Sequence, residues 1–267
     1  MKTVKGVADT GDKVTITGEN FGTDPSDISV SFNGTPAEFE LVDESTIVAT
    51  TPADYQTGSV TVTIHGYTMT GGAMFNPNSK GDVTVLYLQN YKQPFAKAND
   101  ESWKNGEWWT PAVWNQNAAS FNAKGNTTVS GMQYKSEEGL TLAFQNGWDK
   151  EAYTNGKMWQ VATLRPGKYR LEVTYAYTLV VTDAGNFISV LIAKGDSESD
   201  IPNVADLEQL NGVYVAYDKM GTANDSGTLV TPSFEVTETT DVVIGFLTSL
   251  AKGNSYFKVT ELKLILE

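Results

Sequence analysis

Alternating runs of β-branched and polar residues, broken at short intervals by turn formers, recur along almost the whole chain, and this pattern excludes a helical fold. In the first part the runs fall at residues 14–17 (Val-Thr-Ile-Thr), 28–32, 37–42, 46–50 and 59–64. A period of two sets one face of each run toward a core and the other toward water. Asn33-Gly34, between two such runs, supplies the residue pair that a type I′ hairpin turn requires, while residues 22–25 and 52–58 give looser punctuation. Six or seven short strands at this spacing predict a small antiparallel sandwich.

Residues 76–82, Asn-Pro-Asn-Ser-Lys-Gly-Asp, concentrate turn formers and mark a boundary between residues 1–78 and residues 82–267. Composition changes across it. The first part holds three Lys, no Arg, ten acidic residues and no Trp, whereas all six Trp lie in the second. Strands are predicted there at residues 140–144, 158–164, 168–177, 187–193, 233–236, 241–246 and 256–266. One helix is expected over residues 204–210, stopped by Asn211-Gly212. The class is all-β, with a larger two-sheet sandwich of jelly-roll type behind the smaller one.

Composition closes several functional classes. With no Cys in 267 residues, disulfide frameworks, thiolate zinc sites, iron–sulfur clusters and cysteine nucleophiles are excluded. Nineteen basic against thirty-two acidic residues give a formal net charge of -13, which repels phosphate backbones and anionic lipid, so no nucleic-acid partner is expected. Nowhere do eighteen consecutive apolar residues occur, and Met1 to Gly6 lacks a secretory apolar stretch, so a soluble chain is expected.

The run Val14-Thr15-Ile16-Thr17-Gly18-Glu19-Asn20-Phe21-Gly22, with residues 30–34, Ala37, residues 47–52 and residues 58–62, resembles the IPT/TIG immunoglobulin-like domain over the first 78 residues. Some members of that family touch DNA, but three Lys and no Arg leave the role of spacer. Residues 108–115, 155–160, 164–169 and 243–246 are similar to an uncharacterised domain that follows immunoglobulin-like repeats in surface lipoproteins of glycan-foraging Gram-negative gut bacteria. That domain's architecture is similar to galactose-binding-like carbohydrate modules. The resemblance implies an outer-membrane-anchored protein at the cell surface, holding a polysaccharide or oligosaccharide near an import complex. Its membrane contact would be a lipid anchor outside this chain.

Sugars present flat patches of C–H groups that an aromatic ring buries while neighbouring amides and acids bond the hydroxyls. Trp103, Trp108, Trp109 and Trp114 lie within twelve residues, interleaved with polar side chains such as Asn115. Extended backbone would send Trp108 and Trp109 to opposite faces, which makes one of them the best exposed platform. Trp148, between turn residues, is a further candidate, with Tyr153, Asn155 and Lys157 as polar partners, while Trp159 reads as core. The bland alternative is that these rings plug one end of the sandwich.

Other chemistries are thinner. Glu137-Glu138, and Asp149 with Glu151, give no distinctive acid pair for glycoside hydrolysis, so no catalytic residue is assigned and no enzyme is expected. The loop at residues 196–200 fails as an EF-hand because Ile201 and Leu207 stand at its sixth and twelfth positions. No metal ligand and no cofactor is assigned, a structural calcium on backbone carbonyls staying open. His65, the only histidine, excludes a multi-histidine metal site and reads as a turn residue. Arg165 precedes a turn and could clamp a uronate. The expectation is a non-catalytic glycan-binding protein. A structural or adhesive protein that meets protein partners through the same aromatic patch is the alternative.

Overall fold

The structure is a computed structural model and describes residues 6–98, 108–120, 123–124, 127–128, 130–147 and 152–267. It divides into two compact units, Met1–Leu86 and Tyr87–Glu267.

In the smaller unit one sheet runs Gly6–Val7, Tyr67–Phe75, Gly58–Ile64, Ile28–Phe32 and Thr35–Ala37, and the other Lys13–Thr17, Thr46–Thr50 and Phe39–Asp43. Ile16, Phe21, Phe32, Ile47, Tyr55, Val60 and Val62 form its core, at 0 or 1% exposure. Alternation puts them there: Lys13–Thr17 reads exposed, buried, exposed, buried, exposed. The Asn33-Gly34 turn takes the left-handed conformation at both positions, φ 45° and 83°, as the hairpin signal requires. His65 sits at the tip of the hairpin formed by Gly58–Ile64 and Tyr67–Phe75 with φ 49°, its ring 3.4 Å from Asp27.

The larger unit is a sandwich of two sheets. The front sheet runs Trp108–Trp109, Ser130–Lys135, Gly139–Gln145, Tyr256–Leu266, Gly167–Leu179 and Asp225–Val230, with Phe234–Val236 also pairing on Gly167–Leu179. The back sheet runs Asn115–Gln116, Tyr153–Leu164, Thr240–Leu250, Asn186–Lys194 and Gly212–Ala216. Phe144 from the front and Phe246 from the back meet with ring centroids 5.0 Å apart, so the core lies between the sheets. Gly245 is fixed by close approach, because a Cβ there would lie 2.1 Å from the Met158 carbonyl oxygen.

One expected element is corrected. Residues 204–210 form no α-helix: Val204–Gln209 is 3-10 helix, with Asp206 leaving helical geometry. Ile201, Val204, Leu207 and Leu210 recur every three residues, the period of a 3-10 stripe rather than an α-helical one. All four join Trp159, Leu191, Ala193, Val243 and Leu247 in one apolar cluster on the outer side of the back sheet. Asp200 closes the start of this strap, its Oδ2 accepting from the amides of Asp196 and Ser197 and from the Ser197 hydroxyl. The acidic loop therefore spends this carboxylate on its own backbone.

Candidate functional site

The paired tryptophans do alternate. Trp109 lies opposite Met132 and is 7% exposed, while Trp108 lies opposite Gln133 on the outer face and is half-buried. As the exposed platform Trp109 is therefore corrected to core, with the Lys97 ammonium 5.8 Å from its ring centroid. Trp114 is corrected likewise. Val113 adopts φ 64°, a conformation a β-branched residue avoids, and stays outside while Trp114 turns in. There its ring meets Phe246 at 5.9 Å and its indole N–H donates to the Asn90 carbonyl at 3.0 Å. These two rings close the sandwich because burying so large an apolar area outweighs leaving it wet.

Asn115 is exposed, but it belongs to the back sheet, opposite Trp159. Lys157, on the same sheet, is only 7% exposed and its ammonium donates to the Glu198 carbonyl at 3.4 Å, so it is corrected as a sugar-facing group. Burial holds its pKa below the ordinary lysine range, opposed by Glu198. Tyr153 is buried with its hydroxyl 3.1 Å from that of Thr248, and Asn155 accepts from the Val204 amide. Trp159 is core, as read, under the strap. Trp103 and Trp148 lie outside the described residues. Trp108 is thus separated by a sheet from Asn115 and Lys157.

Sequence reasoning missed a different cluster, on the outer face of the front sheet. Strand register places Ala143, Lys258 and Ala176 in one row and Gln145, Tyr256 and Leu179 in the next. Lys258 is 1% exposed and ion-pairs with Glu138, and its ammonium lies 5.2 Å from the Tyr256 ring centroid. Burial pushes its pKa down to about 8, against the upward pull of the Glu138 carboxylate. Tyr177 stands beside them at 40% exposure. Its backbone has φ 51° at a bulge where the pairing of Gly167–Leu179 shifts register on both sides. The buried Thr178 clamps that bulge, its hydroxyl donating to the Ala176 carbonyl and accepting from the Lys258 amide, each at 3.2 Å. The Tyr177 hydroxyl reaches the Glu137 carbonyl at 3.4 Å. No sequence rule marks such a bulge, although an aromatic between Ala176 and Thr178 at a strand end is compatible with one.

Residues 89–245 match the model of a domain of unknown function (DUF5013), more than half of the chain. The chain belongs to the DUF5013 family. Ahead of this DUF5013 region, residues 2–79 match the IPT/TIG domain, so the N-terminal unit is an IPT/TIG domain. No curated protein matches the chain. Among solved structures, the DUF5013 chain is similar to the module TmCBM61 in complex with beta-1,4-galactotriose, at 12% identity, 61% coverage of this chain, 92% of that one and a TM-score of 0.37. The CBM22-1 xylan-binding domain from Paenibacillus barcinonensis is 14% identical, with 64% and 97% coverage and a TM-score of 0.35. A C-terminal family 22 carbohydrate binding module from Clostridium thermocellum is 11% identical, with 67% and 95% coverage and a TM-score of 0.33.

Proposed function

We propose that the chain is a non-catalytic glycan-binding protein of the cell surface, in which the IPT/TIG unit acts as a spacer and the DUF5013 unit holds a polysaccharide. The supporting observation is the outer face of the front sheet, which carries the half-buried Trp108 and Tyr256, the exposed Tyr177 and the partly exposed Gln145 and Ala176. An aromatic surface interleaved with amide groups suits a sugar, which offers C–H patches and hydroxyls together. Turnover is no part of the proposal. The Glu138 carboxylate beside these rings is bound to Lys258.

Exposed stacking leaves little beyond ordering costs, so the dissociation constant falls between micromolar and millimolar, about -8 to -4 kcal/mol. Electrophoresis through gels containing single polysaccharides tests the reading. Retardation by at least one glycan is expected, and unchanged mobility across a broad panel would overturn it. Trp108→Ala weakens the retardation with only a modest drop in melting temperature.

A further inference from the structure

We propose that Tyr177 is the stacking surface for one sugar ring of a neutral glycan, an assignment that rests on the glycan-binding reading and names its contact residue and ligand class. Among the described residues, nine other than glycine adopt positive φ, and seven of them are Asn, Asp or His, which tolerate it. Val113 and Tyr177 are the two that do not belong to that set. The strain at Val113 accompanies the burial of Trp114, whereas the strain at Tyr177 delivers an aromatic ring to solvent. Strained positions of this kind persist where the surrounding structure over-determines them, and a strand bulge is a device for re-aiming one side chain. Here Thr178 fixes the bulge from below and the Glu137 carbonyl holds the hydroxyl end of the ring, so little freedom remains to be lost when a sugar lands on it.

The charges around the ring choose the ligand class. The Lys258 ammonium is spent on Glu138, and Lys135, the other cation at this turn, lies 3.8 Å from the same carboxylate. Glu137 is exposed beside them, and the whole chain carries a net charge of -13. Among the described residues, the two cations at this turn, Lys258 and Lys135, both face Glu138, whereas the carboxylate of Glu137 and the amide of Gln145 can accept and donate to hydroxyls. Gln145 lies two strands away, about 10 Å at ordinary strand spacing, and serves an adjoining sugar unit.

The test uses the full chain in native gels containing galactan, xylan or glucomannan, and in polygalacturonate as the anionic counterpart. Tyr177→Gly removes the ring and also relieves the left-handed backbone, so its melting temperature does not fall, and Tyr177→Phe keeps the ring. We expect retardation of the parent chain in a neutral gel, the same retardation for Tyr177→Phe, and at least tenfold weaker binding for Tyr177→Gly. Equal retardation of the parent chain and Tyr177→Gly would overturn the assignment while leaving glycan binding intact. Retardation in polygalacturonate alone would overturn the ligand class. A parent chain that no gel retards removes the glycan reading itself, and this site with it.

Discussion

Trp108 and Trp109 are neighbours whose roles are settled by the side of their strand each occupies. Trp109 and Trp114 are close in sequence to Trp108, yet they carry the core rather than the surface, because Trp109 pairs with Met132 on the inner face and Trp114 packs on Phe246. Truncating either to Ala costs about 3–5 kcal/mol, read as a fall in the midpoint of urea unfolding, and a loss below about 1 kcal/mol would contradict the burial. Lys258 gives a second prediction at this scale. In the folded chain burial brings its pKa to about 8, while the unfolded chain keeps it near the free value of about 10.4, so over that window the unfolded state binds more protons. Stability therefore rises as pH goes from about 8 toward about 10. Lys157, also lowered by burial, acts in the same sense. Above that window the buried Tyr153, Tyr169 and Tyr217, whose pKa values are raised by burial, reverse the trend. Lys258→Met flattens the rise, which denaturation midpoints at about pH 7.5 and about pH 9.5 measure, and an unchanged slope would show that Lys258 is not the titrating group.

Two elements decide what the larger unit presents to solvent, and they differ in how readable they were. The strap at residues 195–211 carries its signal openly: Ile201, Val204, Leu207 and Leu210 are three apart, a period that belongs to 3-10 geometry. Its anchor is Asp200, whose carboxyl is held below its usual range chiefly by the Ser197 hydroxyl, with the amides of Ser197 and Asp196 adding. That contribution is present above the unfolded carboxylate pKa and is lost as pH falls through the folded value. Asp200→Ala removes three accepted hydrogen bonds, and hydrogen exchange should quicken over residues 196–204 while the front sheet stays protected. Uniform quickening would mean that the strap is not a separate element. The bulge at residues 176–178 was unreadable, because alternation runs cleanly through Tyr169, Leu171, Val173 and Tyr175, and the register shift depends on a partner strand some eighty residues away. Thr178→Val keeps the shape but drops two hydrogen bonds, at about 1–3 kcal/mol for the unpaired backbone groups it leaves buried.

At the scale of the whole molecule, the all-β class and an IPT/TIG domain at the N-terminus were legible. Periodicity gave most of the long strands but not Tyr67–Phe75, Ser130–Lys135 or Asp225–Val230, and turn chemistry gave the Asn33-Gly34 hairpin. The site was not, because a binding surface is made by register between strands remote in sequence, and Tyr177, Lys258 and Gln145 share no local pattern. A net charge of -13, together with the pairing of Lys258 and Lys135 with Glu138 beside Tyr177, points to a neutral ligand held by ring contact, so affinity should vary less than about twofold between about 50 and about 500 mM salt. Oxidative footprinting of the chain, with and without a neutral polysaccharide that retards it, reads the central claim residue by residue. Protection of Tyr177, with Trp109 and Trp114 silent in both states, is the predicted result, and a Tyr177 that oxidises equally fast under saturating glycan would contradict it.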